Sequence, residues 1–118
     1  MSRIDETISK IKRGQLTIGS WIQITHPSIG KTLSSCGLDW LAVDLEHGTY
    51  SQKDMPTTFD IIRSNGCLAL ARLAENSEVA AKLALDAGAD GIIVPMINTK
   101  EEALRAVSGA QYPPKGKR

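Results

Sequence analysis

The chain has 118 residues, of which 42% are hydrophobic and 23% charged, and its formal net charge is +1. These values are ordinary for a globular domain, and a nearly neutral chain offers no electrostatic basis for binding nucleic acid or an anionic membrane. Aromatic residues make up only 4%, too few for the stacking platforms of single-strand binders. Neither a signal peptide nor a membrane-spanning apolar run is present, so we expect a cytoplasmic protein.

Hydrophobic periodicity predicts a chain of alternating helices and strands. A short amphipathic helix is predicted over residues 2–13, where isoleucines recur at helical spacing. Four apolar, β-branched stretches follow, and they predict strands at 16–24, 40–43, 67–72 and 91–95. A helix is predicted after each strand, and the last begins with the capping box of Thr99 and Glu102.

Four β-α units in series predict a parallel sheet, for which two architectures remain open: a small doubly wound sheet, or four units of a (β/α)8 barrel. No glycine fingerprint for a dinucleotide follows the first strand, so the barrel is preferred, although 118 residues are too few to close one. The sheet would then have two open edges and a face without helices, on which we expect Val43, Leu70 and Val94 to be uncovered.

Ionisable residues gather where the second and third predicted strands end. Asp44, Glu46 and His47 follow the second strand, and Arg72 ends the third. Because chemistry in α/β folds lies beyond the carboxyl ends of the strands, these residues predict an active site in which Asp44 supports His47. The alternative is a turn of solvated charges, with Arg72 paired to Glu75.

Three further side chains, one tryptophan and two cysteines, are candidates for packing in the core. Trp21, in the first strand, would line the pocket or belong to the core. The two cysteines, Cys36 and Cys67, share no metal-ligand spacing and are predicted to be buried thiols.

Several blocks of sequence carry a family resemblance. The segments that carry it are residues 19–21, 36–48, 85–96 and 112–116. In order and spacing they resemble the HpcH/HpaI aldolase family, which includes 2-keto-3-deoxy sugar-acid aldolases and 4-hydroxy-2-oxo-heptanedioate aldolase. The resemblance covers nearly the whole chain.

The resemblance implies a TIM (β/α)8 barrel, with residues 1–118 as the N-terminal half of one barrel domain. Residues 111–118 show no hydrophobic periodicity and are predicted to be an exposed tail. It implies a class II pyruvate aldolase, usually a hexamer, that reversibly cleaves a 4-hydroxy-2-oxo acid into pyruvate and an aldehyde. His47 would be the proton acceptor, Arg72 would stabilise the transition state, and Asp86 would raise the basicity of the histidine.

The resemblance also implies a divalent cation (Mg²⁺, Mn²⁺ or Co²⁺) held by a glutamate and an aspartate on strands that follow residue 118, so no metal ligand is predicted within the chain. Asp86 falls in the last turn of its helix, at the end of the sheet opposite His47. The two residues are therefore expected to meet across a subunit interface. These features predict a small-molecule substrate and a homo-oligomer, with neither nucleic acid nor membrane as a partner.

Two other functions remain open from the sequence. One is a different acid–base reaction on a β/α barrel, such as an isomerisation or a citrate-lyase-like cleavage of a thioester. The other is a non-catalytic half-barrel that associates with another chain.

Overall fold

The computed structural model describes residues 1–118, in which helices and strands alternate. The elements are α1 Arg3–Lys12, β1 Gly19–Ile22, α2 Pro27–Ser34, β2 Trp40–Asp44, α3 Met55–Ser64, β3 Leu68–Arg72, α4 Glu78–Asp86, β4 Gly91–Ile93 and α5 Lys100–Ala110. A short 3-10 helix, Gln52–Asp54, leads into α3. The predicted order of elements is confirmed, and the largest change is the shortening of the first strand.

The four strands form one parallel sheet in the order β1-β2-β3-β4. Parallel pairing brings the carboxyl ends of all four strands to the same end of the sheet. The register sets Trp21 opposite Ala42, and Asp44 opposite Arg72. Since side chains alternate along a strand, Trp21, Asp44 and Arg72 belong to the same face.

The core lies on the other face, between the sheet and the helices. Val43 is completely buried there, in the same apolar cluster as Phe59 and Ile62 of α3. The expectation that Val43 and Val94 are uncovered is therefore wrong: Val43 alternates with Asp44 and points the opposite way, and Val94 packs against the core cluster. Leu70 lies on the face without helices and is partly exposed.

Sequence-local signals account for the ends of several elements. Ser2 and Asp5 form a capping box at α1, and the box of Thr99 and Glu102 begins α5 as predicted. Cys67 is buried as predicted, whereas the prediction that Cys36 is buried is wrong: Cys36 lies after the end of α2 and is exposed. No helix combines the length and the apolar character needed to cross a bilayer.

Residues 111–118 are mostly exposed and turn back toward the end of α5. The amide of Lys117 donates to the carbonyl of Ser108 at 2.8 Å. The guanidinium of Arg118 lies 4.4 Å from the centre of the Tyr112 ring.

Candidate active site

A buried ion pair joins the carboxyl ends of β2 and β3. Asp44 and Arg72 are the last residues of these strands and lie opposite each other in the register. Arg72 donates from Nε to Oδ1 of Asp44 at 3.1 Å and from Nη2 to Oδ2 at 2.5 Å, while the Asp44 side chain is completely buried. Two parallel N–H···O bonds fix the guanidinium in orientation as well as in position.

Three further donors reach the Asp44 carboxylate. The backbone amides of Glu46 and His47 donate to Oδ1, each at 3.0 Å, and the side-chain amide of Gln23 donates to Oδ2 at 3.0 Å. Burial alone would raise the pKa of Asp44, but the hydrogen bonds, led by those from Arg72, hold that pKa well below its usual range. Asp44 is therefore an ionised anchor and not a proton carrier at neutral pH.

Arg72 is held on a second side by an aromatic ring. Its Cζ lies 4.5 Å from the centre of the Trp21 ring, and Trp21 in turn meets Trp40 edge-on, with ring centres 6.5 Å apart. The hydrogen bonds to Asp44 raise the pKa of Arg72, which keeps the guanidinium charged. Of the five N–H donors of an arginine, two bind Asp44 and three remain for a ligand.

These side chains face an open recess at the free edge of β1. The recess has a volume of about 560 Å³, and its walls include Trp21, Gln23 and Arg72 on one side and Ile29 and Leu33 of α2 on the other. A positive charge with unused donors beside apolar walls is suited to a small organic anion.

His47 lies in the turn that follows β2. Its imidazole is 64% exposed, and Nε2 lies 2.7 Å from Oε1 of Glu46. Asp44 does support His47 by a hydrogen bond, but the donor is the backbone amide and not the imidazole. The strand ends at Asp44, so Glu46 belongs to the turn. The alternation of side chains along a strand therefore does not place Glu46 on the same face as Asp44.

Asp86 lies away from this cluster. It is the last residue of α4, at the amino-end side of the sheet, and its Oδ1 accepts from Nη2 of Arg118 at 2.7 Å. The structure thus brings Asp44, Arg72, Trp21 and the His47 turn together at the carboxyl end of the sheet and leaves Asp86 near the amino end. Within one copy of the chain, Asp86 does not meet His47.

Sequence reasoning missed Gln23 and the turn that holds it. The carbonyl of Gln23 accepts from both the amide and the hydroxyl of Thr49, each at 3.1 Å. A Cβ on Gly48 would lie 2.3 Å from the Asp44 carbonyl oxygen, so only glycine allows this turn to approach so closely. The available signal was the two-residue spacing from Trp21 to Gln23, which places both on the site face.

The chain does not assemble a site for a divalent cation. No three side chains of His, Cys, Asp or Glu come together as metal ligands. The Asp44 carboxylate is surrounded by its five hydrogen bonds, and Glu46 faces the imidazole of His47. The residues of this chain therefore do not fit the metal that the resemblance implies.

Known proteins match both the sequence and the fold. The sequence pattern of the HpcH/HpaI aldolase/citrate lyase family matches residues 17–118. A 2-dehydro-3,6-dideoxy-6-sulfogluconate aldolase of Pseudomonas putida is 35% identical over 108 residues, which are 92% of this chain and 42% of that protein. A 4-hydroxy-2-oxovalerate aldolase of Novosphingobium aromaticivorans is 32% identical over 109 residues, again 92% of this chain and 42% of the relative.

Among solved structures, an HpcH/Hpal aldolase/citrate lyase family protein from Burkholderia cenocepacia J2315 superposes with a TM-score of 0.86 and 26% identity. The match covers 93% of this chain and 46% of that protein. The chain thus spans about two fifths of the length of the curated relatives it matches. Its four parallel β/α units are a partial TIM barrel, as predicted.

Proposed function

Because the chain belongs to the HpcH/HpaI aldolase/citrate lyase family, we propose that the protein carrying this sequence is a class II pyruvate aldolase. It reversibly cleaves a 4-hydroxy-2-oxo acid into pyruvate and an aldehyde. Two relatives are named as aldolases, one of them for 4-hydroxy-2-oxovalerate. The observation that carries the proposal is the Arg72 guanidinium, locked by Asp44 at the carboxyl edge of the sheet with three N–H donors unused.

Arg72 is proposed to bind the 2-oxo acid and to stabilise the charge that develops on it. When the C3–C4 bond breaks, its electron pair moves to C3 and is delocalised onto the C2 oxygen as an enolate. A fixed cation beside that oxygen lowers the energy of the transition state without having to reorient. The fork to Asp44 and the stack on Trp21 supply this fixed orientation.

His47 is proposed to accept the proton of the C4 hydroxyl. As the C3–C4 bond breaks, the C4 oxygen forms a carbonyl and the C4 fragment leaves as an aldehyde. Imidazole is the side chain whose ordinary pKa lies nearest neutrality, and this one is exposed at the site edge. Glu46, 2.7 Å from Nε2, orients the ring in the isolated chain.

Asp86 enters the proposal only through a second copy. In one copy it is paired with Arg118 near the opposite edge of the sheet. If it raises the basicity of a histidine, that histidine is His47 of a neighbouring subunit, and the active enzyme is a homo-oligomer, a hexamer by family resemblance. Metal dependence on Mg²⁺, Mn²⁺ or Co²⁺ is likewise proposed from the family, and none of the steps above uses the cation.

The proposal is tested by hydrogen exchange into pyruvate, which needs no knowledge of the aldehyde. The protein carrying this sequence is incubated with pyruvate in D₂O with Mg²⁺, Mn²⁺ or Co²⁺, and the methyl signal is followed by proton NMR. Loss of that signal is expected, because forming the enolate releases a methyl proton. Arg72→Met should slow the exchange by about 10²–10³-fold.

Absence of exchange with every cation would overturn the pyruvate aldolase proposal. Exchange into an acetyl thioester, with none into pyruvate, would instead identify a citrate-lyase-like reaction. Release of pyruvate from 4-hydroxy-2-oxovalerate then tests the complete reaction.

A further inference from the structure

We propose that Gln23 is a positioning residue of this site: its side-chain amide locks the Asp44 carboxylate and thereby fixes the Arg72 guanidinium in its ligand-binding orientation. The inference rests on the proposed function in one respect, the identity of the ligand as a 2-oxo acid. The mechanical part, that Gln23 restrains Arg72 through Asp44, stands on the geometry alone.

The two oxygens of Asp44 are restrained differently. Oδ1 accepts from the backbone amides of Glu46 and His47, which are fixed by the turn itself, and from Nε of Arg72. Oδ2 accepts from only two groups, the Gln23 amide at 3.0 Å and Nη2 of Arg72. Without the Gln23 donor, only the arginine would hold Oδ2, and any twist of the carboxylate about its Cβ–Cγ bond together with the guanidinium would be opposed by the bonds to Oδ1 alone.

Gln23 is itself anchored at its backbone. It follows the last residue of β1, and its carbonyl accepts from the amide and the hydroxyl of Thr49. Beside it, the hydroxyl of Tyr50 donates to the carbonyl of Ile24 at 2.7 Å. The segment that carries Gln23 is therefore tied to the turn that carries His47, so one residue links the end of β1, the His47 turn and the Arg72 ion pair.

Trp21 does not perform the same task. Its ring lies beside the guanidinium, with Cζ 4.5 Å from the ring centre, and limits motion of Arg72 toward Trp21. Rotation of the guanidinium is restrained by the fork to Asp44, whose Oδ2 is held in turn by Gln23. Gln23 and Trp21 therefore restrain different motions of the same group, in the recess that all three side chains line.

The test uses Gln23→Met, which keeps the length of the side chain and removes its N–H donor. Nitrogen-15 NMR of the Arg72 Nε–H reports its exchange with water, and calorimetric titration reports the Kd for pyruvate. We expect exchange about tenfold faster and a Kd about tenfold higher, because a hydrogen bond to a charged group is lost. Gln15→Met is the matched control, since that exposed glutamine lies between α1 and β1 and its side chain makes no hydrogen bond; it should change neither value.

Gln23→Asn is the second variant: it keeps the amide on a side chain one methylene shorter, and it should behave like Gln23→Met. Unchanged Arg72 exchange in folded Gln23→Met or Gln23→Asn would overturn the inference, as would an unchanged pyruvate Kd. If the unmodified protein fails to bind pyruvate, the proposed function fails. The exchange rate of Arg72 still decides the role of Gln23 in that case.

Discussion

The two ends of the sheet use aspartate in different ways. At the amino ends, Asp39 accepts the backbone N–H of Ile18, directly before β1, at 2.8 Å, and Asp90 accepts that of Ala69 in β3 at 2.9 Å. Each also faces a cation on the helix side, Lys10 for Asp39 and Arg63 for Asp90. At the carboxyl ends, Asp44 accepts from the turn that follows its own strand, from Gln23 directly after β1 and from Arg72 of β3.

The cations mark the difference between the two ends. The side chains of Lys10 and Arg63 are 42% and 49% exposed, so water solvates much of their charge. Arg72 is 25% exposed, and its aspartate is completely buried. The amino-end pairs therefore tie strands together, whereas the carboxyl-end pair holds a partly buried cation beside an open recess, where a ligand can use it.

The largest expected effect tests whether the carboxyl end carries the chemistry. In the active protein, His47→Ala should lower kcat by about 10²–10⁴-fold, the usual contribution of a positioned general base, and should leave pyruvate binding nearly unchanged. Steady-state kinetics with a 4-hydroxy-2-oxo acid measures this. His26→Ala is the imidazole control: His26 caps α2, so the change should affect stability and not kcat. A His47→Ala variant with nearly full activity would make His47 an ordinary loop histidine.

The second prediction compares the removal of an arginine at each end of the sheet. Arg72→Met should lower kcat/KM by about 10²–10³-fold, since a preorganised cation at the developing charge is removed. Arg63→Met, at the amino end, should leave kcat/KM unchanged, because that guanidinium is half exposed and bonds only Asp90. Equal losses in the two variants would show that the two ends do not differ in function.

The third prediction compares the aspartates by stability. Asp44→Ala should lower the free energy of unfolding by about 2–4 kcal/mol, because the backbone amides of Glu46 and His47 and the side-chain amide of Gln23 lose a buried acceptor. Asp39→Ala should cost about 0.5–1.5 kcal/mol, the usual net contribution of one hydrogen bond, because water can reach the exposed amide of Ile18. Urea unfolding followed by circular dichroism gives both values. Similar costs would mean that Asp44, although buried, stabilises the folded protein no more than Asp39 does.

The sequence predicts the order of elements well, because each helix and strand has a clear period and clear end signals. The position of the site is also predictable, since Asp44, His47 and Arg72 all follow directly from where two parallel strands end. The misplacement of Val43 was avoidable: alternation with Asp44 already sends it to the helix face.

The pairings within the site were less predictable. Asp44 is predicted to support His47, and it does so through the backbone amide of that residue, while its side-chain partners are Arg72 and Gln23. Which donors reach a carboxylate depends on the register between strands, which hydrophobic pattern does not determine to a single residue. The only sequence signal for Gln23 is its two-residue spacing from Trp21, which gives the face of the sheet but not the carboxylate that its amide reaches.

The smallest expected effect is in the acid range, where the aspartates at the two ends should differ in degree. The pKa of Asp44 in the folded protein lies below its unfolded value of about 3.9, so below about pH 5 the unfolded chain binds more protons than the folded one. The stability that Asp44 contributes is therefore complete above that range and is lost as the pH falls through the folded pKa. The pKa of Asp39 is also lowered, by the amide of Ile18, but only two donors reach it.

Asp44→Asn should accordingly be less stable than the unmodified protein at pH 7 and lose less stability between about pH 5 and pH 3. Asp39→Asn should flatten the same curve to a smaller extent, because fewer hydrogen bonds hold its charged form. Urea unfolding at several pH values and constant ionic strength measures the slopes. If the Asp44→Asn curve runs parallel to that of the unmodified protein, the carboxylate is not held ionised by its five hydrogen bonds, and the contrast between the two ends of the sheet fails at its strongest point.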